Sequence, residues 1–484
     1  MKIVLIKPAD SLAESSVYTS QKENKGVFTR QHYGEHLGLG YIAASLQKAG
    51  HEVYLLYQLQ SISDFTKQIL DLNPDIVMAT ALTGAFNTAK AIFRNLKDIN
   101  PRIITIIGGD HISSHPQSVD DVAIDYGIIG EGELTSINLV DAIQKNTNSR
   151  LIPGIAFVDC NSGLIINLPA NKIKNLDELP FPFRTSESIS QTRFSAIFDP
   201  ASSKALPMGI FYTSRGCPFN CKECSSKNIF GQGVRYRSIE NVISEIKLIK
   251  KKFGIKAMTF YDLTFNANKK HVEELCNALI KEKINLHWYA MTRATLPNGT
   301  AMLDKSLLEL MFDSGCRKIS FGIESFDAKI SSSFEKKSNS RQLTEILGAA
   351  DSSGIINRAF LMLGYNDSPE SLQANLVGLE KYPIHEVRIS ILTPFPGTLF
   401  YNECLKNKLF LTFDWTKFTG DYSILNPLYF NSASDLLIER KKLFQKFIKS
   451  DFYSNRMKEK IKRNPWFKEG VKEYFQFLKT KNIL

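Results

Sequence analysis

The sequence predicts an α/β protein in three pieces: an N-terminal doubly wound parallel sheet, a partial (β/α)6 TIM-type barrel and a helical C-terminal region. Three observations carry this. Over residues 1–150, short apolar runs alternate with amphipathic helical stretches. The alternation resumes with longer units between Met208 and residue 400. Beyond 400 the pattern is mostly helical, with aromatics interleaved. The boundaries follow as 1–150, a linker at 151–207, a barrel at 208–400 and a helical region at 401–484, which suits a chain of 484 residues.

In the first piece the expected strands are Lys2–Ile6, Glu52–Tyr57, Ile76–Ala79, Ile103–Ile107 and Tyr126–Ile129. Their continuous apolar character implies burial on both faces, as in parallel, Rossmann-like sheets. Between them, helical spacing fits Leu37–Lys48 (stopped at Gly50), Ile62–Leu72, Ala85–Leu96 and Leu134–Gln144. Such sheets bind ligands at the carboxyl ends of their strands. Three ends stand out: Lys7-Pro8, Thr80-Ala81-Leu82 and Gly108-Gly109-Asp110-His111. Residues 12–36 are polar and read as a loop over the ligand face.

The linker opens with a hairpin-like stretch, Gly154–Val158 and Leu164–Leu168, and continues into Pro180-Phe181-Pro182, which forces an extended path. Residues 185–205, rich in Ser and Thr, read as loop.

In the barrel the expected strands are Gly209–Thr213, Ala257–Tyr261, Leu286–Met291, Arg317–Gly322, Asn357–Leu363 and Val387–Leu392. Five helical stretches separate them: Ile239–Lys252, Lys269–Lys281, Lys305–Ser314, Arg341–Ser353 and Pro369–Lys381. Chemistry in such barrels sits at the carboxyl ends of the strands. Those ends carry Asp262, Arg293, Glu324, Leu363-Gly364-Tyr365, Arg388 and Leu392-Thr393-Pro394-Phe395-Pro396-Gly397-Thr398.

The most specific stretch follows the first of these strands. It reads Arg215-Gly216-Cys217-Pro218-Phe219-Asn220-Cys221-Lys222-Glu223-Cys224, a C-x3-C-x2-C spacing in a chain with seven cysteines. Three thiolates on one tight loop can hold three corners of an iron–sulfur cluster and leave one iron open to chelate a small molecule. The rival is a structural zinc knuckle, which needs a fourth ligand; Cys276, Cys316 and His271 all lie far off in sequence. Cys160, Cys276, Cys316 and Cys404 read as core or neutral surface.

Composition bounds the rest. Hydrophobic residues at 43% and charged residues at 23% describe an ordinary soluble globular chain. No apolar run reaches the roughly 20 residues of a membrane-spanning helix. The N-terminus reads as a first buried strand and not as a signal peptide. An odd number of cysteines, three of them clustered, suits a reducing cytosol, so a cytoplasmic location is expected. Of the net charge of +11, a surplus of +8 lies in residues 431–484, with fourteen Lys and Arg against six Asp and Glu. This reads either as a solvated helical face or as a docking face for an acidic partner or anionic substrate. Recognisable RNA-binding modules are missing, which argues against nucleic acid.

The cysteine loop resembles the signature of the radical S-adenosylmethionine (SAM) superfamily. The segments Thr80-Ala81-Leu82, Gly108-Gly109 and Gly130-Glu131-Gly132-Glu133 resemble those of a cobalamin-binding domain joined to it. The resemblance implies a cobalamin-dependent radical SAM enzyme holding a 4Fe-4S cluster, SAM and cobalamin. It assigns Cys217, Cys221 and Cys224 to the cluster. It places Thr80, Leu82, Gly108, Gly109, Glu131 and His111 beside the corrinoid, His111 as a tail or phosphate contact. It places Asp262 at the SAM amino group, Glu324 at the ribose, and Arg293 and Leu392 at neighbouring strand ends. Two departures are visible: the family's D-x-H-x-x-G loop is replaced by Lys7-Pro8-Ala9-Asp10-Ser11-Leu12, and Glu223 stands where an aromatic usually precedes the third cysteine. The implied chemistry is reductive cleavage of SAM to a 5′-deoxyadenosyl radical, hydrogen abstraction, and C-methylation of an unactivated carbon of a small-molecule intermediate. Alternatives within the same architecture are cyclisation or rearrangement without net methyl transfer, loss of the corrinoid, and RNA modification. The resemblance also implies a reducing partner such as flavodoxin or ferredoxin, and a C-terminal tail over the barrel mouth.

Overall fold

A computed structural model describes residues 1–9, 35–190, 207–334 and 340–480. Most of the expected ligand-face loop at 12–36, the end of the Lys7–Leu12 segment and most of the loop at 185–205 lie outside these residues. The described part of the latter, Ser186–Ser190, is a short helix.

The N-terminal sheet has seven strands: β1 (Lys2–Lys7), β2 (Glu52–Tyr57), β3 (Ile76–Thr80), β4 (Ile104–Gly108), β5 (Tyr126–Ile128), β6 (Ile155–Asp159) and β7 (Gly163–Ile166), in the order β2-β1-β3-β4-β5-β6-β7. The first five pair in parallel. The continuous apolar runs are explained by burial on both faces. Val4 and Ile6 of β1 pack with Phe65 and Phe93 on one side, while Ile3 and Leu5 pack with Leu39 and Leu46 on the other. The strand order reverses between β1 and β3, which places the ligand crevice at the carboxyl ends beside β3. The sheet does not stop at residue 150. β6 pairs antiparallel with β5 through Gly127 and Ala156, so the hairpin read as linker covers the edge of a three-residue strand.

The second large sheet runs β8 (Met208–Phe211), β11 (Ala257–Phe260), β12 (His287–Thr292), β13 (Cys316–Glu324), β14 (Ile356–Leu363) and β15 (Glu386–Ile391), all parallel and in sequential order. β8 and β15 are its two edges, so the barrel is partial. Alternation on β13 sends Ile319, Phe321 and Ile323 into the core under the outer helices. Lys318, buried on the opposite side of the same strand, shares Glu386 with Arg358. One feature escaped the sequence reading: β9 (Ser214–Cys217) pairs antiparallel with β10 (Gly233–Tyr236) as a separate two-stranded ribbon that carries the cysteine loop.

The linker is anchored by charge. Arg184 donates to Glu245 at 2.6 Å, to the Ile210 carbonyl at 2.6 Å and to Glu35, all of them buried. Arg237 donates to the other Glu245 oxygen at 2.5 Å. The linker backbone also donates from Phe183 to the Gly40 carbonyl at 2.9 Å. The path between the two sheets is thereby tied to both of them.

The C-terminal helices Ala433–Lys449, Asp451–Arg463 and Lys468–Thr480 insert Leu436, Phe444, Phe447, Tyr453 and Leu478 into the barrel core. They sit at its N-terminal end: the Tyr453 hydroxyl donates to the His385 carbonyl at 3.1 Å and Lys460 Nζ donates to the Ile355 carbonyl at 2.7 Å. Both carbonyls directly precede a strand, and the eight residues of β14 span about 26 Å. These helices therefore close the bottom of the barrel, while the preceding part of the tail stays on the mouth side, where the Phe400 N–H donates to the Lys222 carbonyl at 3.1 Å. Phe452, at helical spacing from the buried Phe444, Phe447 and Ile448, is nevertheless 63% exposed.

Candidate functional site

Cys217 ends β9, and Cys221 and Cys224 follow on the loop. The ribbon needs glycine inside β9, where Gly216 pairs with Val234. Gly216 has φ +95°, and a Cβ there would lie 2.1 Å from the Gly233 carbonyl oxygen. All seven cysteines are free. The Cys217 sulfur lies 3.4 Å from Thr264 Oγ1, that of Cys221 accepts from Arg293 Nη1 at 3.9 Å, and that of Cys224 lies 3.0 Å from Ser226 Oγ. Among the described residues no three metal-ligating groups converge on one point. The donor chemistry nevertheless fits a thiolate-held cluster: three unbridged thiols stand on one ribbon end, with a guanidinium beside the middle one. Burial, and then the neighbouring Cys217, push the Cys224 thiol upward; the Ser226 contacts oppose this.

Around this loop stand the strand-end residues. Arg293 lies over the Phe219 ring at 4.2 Å and donates from Nε to the Thr295 carbonyl at 2.8 Å, which fixes its head beside the cysteines. Glu324 sits at a register shift between β13 and β14 with φ +64°, a left-handed backbone for a non-glycine residue. Such strain recurs where a strand end serves a ligand. Leu392 donates its N–H to the Leu363 carbonyl at 2.8 Å and packs with Phe400 and Leu425.

Asp262, the residue expected at the SAM amino group, is held from the turn after β8. It is fully buried, and it accepts from Thr213 N at 3.1 Å, Thr213 Oγ1 at 2.9 Å and Ser214 Oγ at 2.5 Å. Burial raises its pKa, and these hydrogen bonds pull the other way. Its carboxylate is committed to the turn between β8 and β9, so what it positions is the cysteine ribbon.

At the carboxyl edge of the N-terminal sheet, Thr80 and Gly108 are register partners. Gly109 has φ +94°, and a Cβ there would meet Thr80 Oγ1 at 2.6 Å and both Ala81 N and O at 3.0 Å. The two turns touch, and only glycine allows it. Leu82 beside them is 40% exposed, an apolar group at an open edge. Glycines that let a ligand reach the backbone, next to a half-exposed leucine, fit a corrinoid tail. His111 is fully buried: Nε2 lies 2.9 Å from Ser118 Oγ, and Nδ1 has no hydrogen-bond partner among the described residues. Burial, and then His115 and Lys90, push its pKa down to about 3, so the imidazole is neutral. Trp415, from the segment after the barrel, covers it at 5.1 Å between ring centroids.

The two edges face one another. Asn228 Nδ2, four residues past Cys224, donates to Ser114 Oγ at 2.9 Å. A Cβ on Gly397 would lie 2.9 Å from the Ser114 carbonyl oxygen. Glu131 faces the ribbon and is held there by arginines: it accepts from Arg215 Nη1 at 2.9 Å and from Arg235 at 2.7 and 3.0 Å. Glu133 accepts from Arg215 Nη2 at 2.6 Å. Thr264, Arg235, Glu133 and Trp415 were not singled out as site residues by sequence.

Two family models match the chain: the B12 binding domain over residues 25–140 and the radical SAM superfamily over residues 211–375. An uncharacterized methyltransferase of Pyrococcus horikoshii, PH0819, is 30% identical over 448 residues, 91% of each chain. The anaerobic magnesium-protoporphyrin IX monomethyl ester cyclase of Rubrivivax gelatinosus is 26% identical, covering 80% of this chain and 69% of its own. Among solved structures, the radical SAM methyltransferase TsrM of Kitasatospora setae, with cobalamin and a 4Fe-4S cluster bound, superposes with a TM-score of 0.66. That match is 16% identical and covers 90% of this chain and 84% of TsrM, so the two share a fold.

Proposed function

The chain belongs to the cobalamin-dependent radical SAM enzymes, with methyltransferases among its relatives, and from that premise we propose that it methylates an unactivated carbon of a small biosynthetic molecule. Its cofactors are a 4Fe-4S cluster, SAM and cobalamin. Cys217, Cys221 and Cys224 hold the cluster, Arg293, Glu324 and Leu392 border SAM, and the Thr80–Leu82 and Gly108–Gly109 turns receive the corrinoid with His111 behind them. When bound, the cluster supplies one-electron cleavage of SAM and the corrinoid supplies a methyl carrier. The chain's residues supply placement: they bring two strand-end edges together and exclude water between them. The observation that carries the reading is the contact of those edges, Ser114 of one against Asn228 and Gly397 of the other.

A one-electron donor of flavodoxin or ferredoxin type and a cytoplasmic setting complete the proposal. Among the described residues no helix is long and apolar enough to cross a membrane. A second reading, ring closure without methyl transfer, is favoured by the cyclase among the relatives. The experiment is anaerobic reconstitution with iron, sulfide and hydroxocobalamin, followed by reduction with SAM carrying a labelled methyl group. Bound corrinoid, cluster iron, 5′-deoxyadenosine and S-adenosylhomocysteine support the proposal. Iron without corrinoid removes methyl transfer; zinc in place of iron overturns the reading.

A further inference from the structure

The cysteine ribbon belongs to neither large sheet, and Asp262 holds only its start at Thr213 and Ser214, so something else must set the orientation of the rest. Its register puts Arg215 directly opposite Arg235, a like-charge pair that would repel if left alone. The repulsion is removed from the other domain. Glu131 Oε1 accepts from Arg215 at 2.9 Å and from Arg235 at 3.0 Å, Glu131 Oε2 accepts from Arg235 at 2.7 Å, and Glu133 Oε1 accepts from Arg215 at 2.6 Å. The side chains of Arg215, Glu131 and Glu133 are at most 6% exposed. Both carboxylates come from Gly130-Glu131-Gly132-Glu133, which joins the carboxyl end of β5 to the helix Gly132–Gln144. That segment has little room to shift, because a Cβ on Gly132 would lie 2.9 Å from the Ile42 side chain. Arg215 is further fixed over the Tyr41 ring at 4.8 Å.

We propose that Glu131 and Glu133 are positioning residues that act through Arg215 and Arg235 to hold the cysteine ribbon in one orientation against the carboxyl edge of the N-terminal sheet. The inference rests on the cofactor reading above, since it is the separation of cluster and corrinoid that this latch fixes. The network is neutral, with two cations and two anions. Loss of a carboxylate has two consequences. The ribbon is released, and an uncompensated guanidinium is left two residues from Cys217, where it favours the more negatively charged, reduced cluster.

The test uses the full chain carrying Glu131→Gln and Glu133→Gln together, with Glu133→Gln alone should the double variant not fold by circular dichroism. Hydrogen exchange is read on the cofactor-free protein. Amides of Ser214–Cys217 and Gly233–Tyr236 are expected to exchange about tenfold faster than in the parent, with β1 and β3 unchanged. On the reconstituted protein, an electron paramagnetic resonance titration is expected to give a less negative cluster potential, and Glu133→Asp to restore the parent values relative to Glu133→Gln. Ribbon exchange at the parent rate, or exchange rising equally in β1 and β3, overturns the proposal. If the parent protein takes up no iron, the cofactor reading fails, while the exchange arm still decides whether the latch exists.

Discussion

Two glycines show how sharply the site is specified at the level of single residues. A Cβ at Gly216 meets the Gly233 carbonyl at 2.1 Å, whereas a Cβ at Gly233 meets nothing within 4 Å. Both have positive φ. Gly216→Ala is therefore expected to part the ribbon and abolish iron retention, while Gly233→Ala adds only the left-handed backbone cost of about 1–2 kcal/mol and keeps the iron. Iron and sulfide content after reconstitution checks both. At the other edge, Gly109→Ala drives a methyl group into Thr80 Oγ1 and Ala81. Corrinoid content is expected to fall by about tenfold or more, with iron unchanged, as read by absorbance of the reconstituted protein. The cysteine spacing and the Gly108-Gly109 turn were legible from type and spacing alone, whereas the roles of Gly216 and Gly233 were not. Asp262 was legible as a strand-end carboxylate, but its partners were not, because Thr213 and Ser214 meet it across 49 and 48 residues of chain.

Among the elements, the linker is where buried charge matters most. Arg184→Met leaves Glu35 without its guanidinium partner in the interior, and is expected to cost about 3–5 kcal/mol, seen as a lowered urea midpoint of the full chain. The strands β14 and β15 carry a pH-sensitive element at their N-terminal ends. His385 Nδ1 accepts from Asn357 N–H at 3.0 Å, so the ring stays neutral with its proton on Nε2, which lies 3.1 Å from Asp351 Oδ1. Burial lowers its pKa to about 4 from 6.5, outweighing the opposing pull of Asp351. The folded state thus binds fewer protons than the unfolded state within that window. Stability is complete above pH 6.5 and declines by up to about 1.4 kcal/mol per unit as pH falls toward 4. Melting temperatures of the parent and His385→Gln across this window check it: the variant is expected to lose that limb. The strands themselves were readable because each is a compact apolar run between turn signals. The β9–β10 ribbon was not, because its residues are polar and its pairing is decided by Gly216 and by ion pairs to another domain.

On the scale of the whole molecule, the two sheets present their carboxyl edges to each other, and the C-terminal helices close the far end of the barrel. The basic helices 433–480 therefore lie at the end of the barrel away from the cysteine loop, with part of their charge spent on Asp351 by Lys460 and Arg463. The sequence by itself determined the two α/β units, the closely spaced cysteine loop and the glycine turns at the strand ends, because each depends on residue type and short-range periodicity. Only the tertiary structure decided how the hairpin extends the first sheet, which end the C-terminal helices cover, and that Glu131 and Glu133 meet Arg215 and Arg235. The physical reason is that these are contacts between charges and edges far apart in the chain, and local spacing carries no record of which distant partner neutralises a buried charge or covers an exposed strand edge.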